Sequence, residues 1–98
     1  MKNSLYADLH KNIKTNTIVE TVCNVCHEVL NIDVEFLKTH GDTTLTIDSL
    51  DKIEIFYMLD NIYDINVNDI EFNKIYKIND IVSIINQYIV KNIKYNIE

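Results

Sequence analysis

The chain has 98 residues, 47% hydrophobic and 24% charged, with one glycine, no proline and no tryptophan. That length makes one domain able to bury a core of its own; the scarcity of Gly and Pro argues against a many-stranded β fold, whose tight hairpins need residues with special backbone angles, and although Asn is abundant the long periodic segments favour helices. The net charge of −6 argues against nucleic acid as a partner, since its phosphates would be repelled.

The first segment, MKNSLYADLHKNIKTN, carries Lys2, Lys11 and Lys14 against Asp8. It has no apolar run of signal-peptide type. No segment approaches the roughly 20 apolar residues a membrane helix needs. The expectation is a cytoplasmic protein, away from membranes, whose two cysteines stay reduced.

Thr15 to Leu30 repeats apolar residues at helical spacing: Ile18, Val22, Val25 or Cys26, then Val29 or Leu30. Thr17 is the predicted N-cap, with Glu20 as its capping-box partner. Inside this helix lies CNVCH, Cys23 to His27, the pattern to which a c-type haem is attached. Attachment of that kind belongs outside the cytoplasm, and no second axial ligand stands out. The helical reading puts Cys26 in the core as a small hydrophobe, with Cys23 and His27 nearer solvent and Cys23 the more reactive thiol. A zinc site from Cys23, Cys26, His27 and His40 lacks a second ligand pair of diagnostic spacing; no metal is expected.

Asn31 to Ile47 is a long connection with apolar anchors at Ile32, Val34, Phe36, Leu37, Leu45 and Ile47. Asp48 or Ser49 to Tyr63 is the second long helix. Leu50, Ile53 and Tyr57 share one face of it, while Ile55, Phe56, Leu59, Ile62 and Tyr63 cover much of the rest. Asn66 to Ile75 has room for a turn or two of helix. Asn79 is the predicted cap of a last helix with Ile81, Val82, Ile85, Ile89 and Ile93 inward. The predicted fold is all-α: a small four-helix bundle of three longer helices and one short one. Acidic residues gather in its middle: Asp48 to Glu71 carries seven acids against Lys52 alone. Such a field steers in basic protein partners.

At DSLDKIEIFYMLDNIYDINV the chain resembles an acyl carrier protein, the phosphopantetheine-binding carrier domain. The triplet Asp48-Ser49-Leu50 stands where that family has Asp-Ser-Leu opening an acidic helix. Asp51, Ile53, Glu54, Leu59, Tyr63 and Asp64 follow its pattern along that helix. VNDIEFNKIYKINDIVSII is similar to the family's short third helix, its Lys-Ile step (Lys74-Ile75) and the entry to the last helix. TIVETVCNVCHEVLNI is similar to its first. The match runs from about Thr17 to Ile89. It makes 1–16 an N-terminal extension, 17–93 the carrier domain and 94–98 a C-terminal tail. Thr46 and Asn68 depart from the family's usual glycine and proline, and Lys52 interrupts the acidic run.

The resemblance implies a non-catalytic carrier. Its cofactor is 4′-phosphopantetheine, donated from CoA and held on Ser49 through a phosphodiester, with acyl groups borne as thioesters on the arm. Fatty acid biosynthesis is the default pathway; polyketide, nonribosomal-peptide or D-alanyl transfer, or an unmodified acidic binding module, are the alternatives. The implied partners are a phosphopantetheinyl transferase and acyl-transferring or condensing enzymes with basic patches, meeting a monomer. Asp48, Leu50, Asp51, Ile53, Glu54, Tyr57 and Asp60 are the candidate docking residues. Leu50, Ile53 and Tyr57 are as compatible with a core stripe. Val22, Cys26, Phe56, Leu59, Tyr63, Ile75, Ile81, Val82 and Ile85 are core first and candidate lining for an acyl chain second. A serine hydrolase is excluded on the residues: Ser49 lacks the glycine-flanked G-x-S-x-G turn, and no histidine has a motif placing it as base.

Overall fold

A computed structural model describes residues 15–68 and 77–97, with side chains described over 17–68 and 77–91. The expectations for the extension before Thr15, the stretch 69–75 with Lys74 and Ile75, and the inward side of Ile93 lie outside those residues. Among the described residues there are four helices and no strand: α1 (Thr15–Leu30), α2 (Val34–Thr39), α3 (Ser49–Tyr63) and α4 (Ile78–Ile97). The three longer helices and the short α2 form a small helical bundle. α1 is its hub, packing against α2, α3 and α4.

α1 begins two residues before the predicted cap, so Thr17 lies within the helix and its carbonyl accepts from the Thr21 hydroxyl at 3.1 Å. Glu20 is no capping-box partner. It pairs instead with Lys38 of α2 at 3.2 Å. The helix ends at Asn31, whose φ of 59° is the left-handed conformation that asparagine tolerates; its N–H donates to His27 O at 2.8 Å. His27 Nδ1 lies 2.8 Å from Ile32 O, which ties the half-buried ring to the chain reversal.

α2 falls within the stretch read from sequence as an irregular connection. Asp33 caps it by accepting from Phe36 N, and Leu37 is driven fully into the core. The loop that follows is fastened to α4. Asn79 N–H donates to Gly41 O at 3.0 Å, and Asn79 Nδ2 donates to Asp42 Oδ1 at 2.7 Å. Gly41 is the only glycine in the chain, and close approach explains it: a Cβ there would run into Asn79 Oδ1. Asn79 is thus a clasp and not the cap of α4, which starts one residue earlier; the carbonyl of Lys77 accepts its first bonds, from Asp80 and Ile81. Leu45 drops into the core and anchors the loop a second time.

Ile18, Val22, Val25 and Cys26 from α1, Ile55, Phe56 and Leu59 from α3, and Ile78, Ile81, Val82, Ile84, Ile85 and Ile89 from α4 close on one another. Cys23 joins them at 0% exposure. The expectation of a solvent-facing, reactive Cys23 is therefore wrong. As the hub, α1 is covered on more than one side, and its buried arc is wider than a single stripe. Burial pushes the Cys26 thiol up to about 12 and raises Cys23 as well; Lys38 pulls Cys23 the other way without winning.

Candidate functional site

The candidate site is the opening of α3 and the face that runs down from it. Asp48 adopts extended backbone, φ −83° and ψ 177°, and its carboxylate accepts from Asp51 N at 2.8 Å. This is an N-cap of the ordinary kind, favoured because it satisfies an otherwise orphaned donor. It also fixes the start of the helix, so that Ser49 is its first residue, and Ser49 is exposed.

Below Ser49 the helix turns a row of large apolar side chains to solvent: Leu50 at 76% exposure, Ile53 at 54% and Tyr57 at 68%. Positions i, i+3 and i+7 share one side of a helix. Of the two readings left open for this stripe, core or surface, the structure has surface. Ile55, Phe56 and Leu59, on the opposite side, take the core contacts. Exposed Glu54 sits between Leu50 and Tyr57 on that outer side by spacing, with half-buried Asp51 at its shoulder. Lys52 is half-buried and, at 3.6 residues per turn, points about 100–160° round the helix from Leu50, Ile53 and Tyr57, so it does not break the acidic edge.

Asp60 differs from its expected place on the outer strip. It is half-buried, and its carboxylate accepts from Val67 N at 3.3 Å. Burial raises its pKa, against the lowering effect of that hydrogen bond. Asp60 carbonyl also accepts from Asp64 N and Ile65 N, while Asp64 takes the left-handed conformation at φ 54°. The residue therefore closes the C-terminal end of α3 onto the following loop. The Tyr88 hydroxyl pins the same loop by accepting from Asn68 N at 3.2 Å.

The candidate acyl-lining residues Val22, Cys26, Phe56, Leu59, Ile81, Val82 and Ile85 are all buried in one cluster. Tyr63 packs against its edge, half-buried. The Tyr63 hydroxyl is buried and makes no hydrogen bond among the described residues. It lies beside Thr21, whose effect on its pKa is outweighed by burial, which raises it. Ile75 lies outside the described residues.

Among the described residues no three of His, Cys, Asp or Glu come together as a metal site. Nor is any helix there long and apolar enough to cross a membrane. A surface cleft lined by Thr17, Val19, Glu20 and Lys38 lies between α1 and α2 and includes neither Ser49 nor the α3 stripe. His40 stacks on Phe36 with ring centroids 4.3 Å apart.

Three features here carry little sequence signal: the Asp60–Val67 bond, the Asn79 clasp and the Tyr88–Asn68 bond. Each joins residues far apart or across a turn, and polar residue types alone do not announce it. No family model matches this chain, and no curated protein or solved structure does either.

Proposed function

We propose that this protein is an acyl carrier: Ser49 bears 4′-phosphopantetheine, and the thiol at the end of that arm carries acyl groups as thioesters between enzymes. The observation that carries the reading is the setting of Ser49. It is exposed, first in its helix, inside Asp48-Ser49-Leu50, and heads an outward stripe of Leu50, Ile53 and Tyr57 edged by Asp51 and Glu54.

The residues present fit the group. An exposed hydroxyl at a helix start is open to a transferase, and the positive end of the helix dipole favours the phosphodiester's charge. Asp48 already takes the Asp51 N–H, and its own negative charge keeps a phosphate from folding down onto that donor. Ser49, exposed at the helix start, would hold the arm at the surface. When bound, it supplies the thiol on which the cargo rides; the chain's own part is to present it and to be recognised.

Recognition uses the α3 face. Acids such as Glu54 remain wet, so each ion pair with a Lys or Arg patch contributes little by itself and weakens with salt. Leu50, Ile53 and Tyr57 add apolar area that a partner covers. This combination suits a protein that must leave one enzyme for the next. Acyl-transferring or condensing enzymes of fatty acid synthesis are the default partners, and polyketide, nonribosomal-peptide or D-alanyl systems the alternative.

Incubation with CoA and a broad-specificity phosphopantetheinyl transferase tests the proposal. Intact mass should rise by one phosphopantetheine, and Ser49→Ala should abolish the gain. An unmodified wild-type protein, in a reaction that modifies a control carrier, leaves only an acidic binding module.

A further inference from the structure

Of the three tyrosines whose side chains are described, two are already engaged. Tyr63 packs on the edge of the core. The Tyr88 hydroxyl accepts from Asn68 N, and Lys91 Nζ lies 5.1 Å from the centre of the Tyr88 ring. Tyr57 is different. It stands exposed on the outer face of α3, and neither its ring nor its hydroxyl has a partner among the described residues. The same holds for the carboxylate of Glu54, three residues earlier and also exposed.

Residues three apart on a helix are surface neighbours, with Cβ atoms about 5–6 Å apart. An aromatic face and an unpaired carboxylate therefore lie side by side. Together they discriminate between the two basic side chains. A guanidinium is flat: its face can lie on the ring while N–H groups at its edge fork onto a carboxylate. An ammonium is a compact charge that holds its water more tightly and has no flat face to stack. Leu50 and Ile53 continue the same outer face toward Ser49 and offer apolar area to be covered.

We infer that the outer face of α3 takes a protein partner presenting arginine rather than lysine, with the guanidinium stacked on Tyr57 and forked onto Glu54, and apolar side chains on Leu50 and Ile53. The rise of the helix sets the spacing: Tyr57 lies about 12 Å along α3 from Ser49 and about 10 Å from Leu50. One consequence rests on the carrier reading. An enzyme acting on the arm has that arginine about 12 Å from the mouth through which the arm enters. The arginine contact itself needs no arm.

Titration of the full-length, unmodified protein, followed by NMR of its backbone amides, tests the contact. The probes are an amphipathic helical peptide of leucine and arginine and its twin with lysine at every arginine. The arginine peptide should bind about two- to five-fold more tightly, the worth of one exposed cation–π contact, and should shift the amides around Glu54 and Tyr57. Tyr57→Phe should keep that preference. Tyr57→Leu keeps apolar area but should bring the two peptides level, and Glu54→Gln should shrink the difference. The inference is overturned if wild type binds the twins equally or binds neither, or if the shifts fall away from α3. It is overturned equally if Tyr57→Leu or Glu54→Gln leaves the preference intact, or if Tyr57→Phe abolishes it. No transferase enters this test, so the two readings fail separately. A protein that prefers arginine through Tyr57 but is never phosphopantetheinylated refutes the carrier reading alone. One that is modified on Ser49 but shows no such preference refutes this inference alone.

Discussion

Cys26 makes alkaline pH destabilising in a way the structure sizes. Its thiol is fully buried, and burial pushes its pKa from the ordinary 9.0 to about 12. The unfolded chain releases this proton near pH 9, whereas the native protein keeps it. Above pH 9 the unfolded state therefore binds fewer protons, and stability falls as pH rises. The thiol's stabilising effect is complete below pH 9 and is lost progressively toward 12. Integrated between pH 8 and pH 10, one such group costs about 1 kcal/mol, most of it above pH 9. Urea unfolding at half-unit pH steps measures this directly. Cys26→Val keeps the site apolar and should flatten that part of the curve, whatever it does to stability at pH 7. If wild type and Cys26→Val fall in parallel between pH 8 and pH 10, the buried-thiol reasoning is refuted.

Three further substitutions probe the elements that position the site. Asp48→Ala removes the α3 cap and should cost about 1 kcal/mol by thermal or urea unfolding, with Asp48→Asn recovering most of it. Gly41→Ala forces its new Cβ against the Asn79 side-chain oxygen; it should destabilise by about 1 kcal/mol, the worth of the Asn79–Asp42 hydrogen bond it displaces, and should do so less in an Asn79→Ala background, where the obstruction is gone. Tyr63→Phe removes a buried hydroxyl with no hydrogen bond among the described residues, so unfolding should find the variant as stable as wild type or more so, by up to about 1 kcal/mol.

Apolar periodicity was enough to find α1, α3 and α4, because each buries residues at helical spacing against the same core. The start of α3 at Asp48 or Ser49 was equally legible, and the structure makes Asp48 its cap. The orientation of α3 was not. Apolar residues surround that helix, so no single face announces itself, and an exposed Leu50–Ile53–Tyr57 stripe reads in sequence just as a buried one does. α2 escaped because six residues are too few to establish a period; its signals are Asp33 and the inward Leu37. Cys23 was misplaced because a one-face pattern assumes a helix covered on one side, and α1 packs against three neighbours. Asn79 shows the same limit for polar residues. A helix-start asparagine looks like a cap until Gly41 and Asp42 are brought beside it by the fold.

In CNVCH, the most suggestive motif in the sequence, Cys23, Val25 and Cys26 thus belong to the interior and His27 is tied to Ile32 O. The thiol that matters in the proposed account is the one Ser49 acquires. Tandem mass spectrometry of the protein isolated from its own host tests that claim most directly. The account predicts phosphopantetheine on the peptide containing Ser49, free or acylated, with the acyl group naming the pathway. Protein whose Ser49 is unmodified in every molecule, or which carries the arm elsewhere, would contradict it.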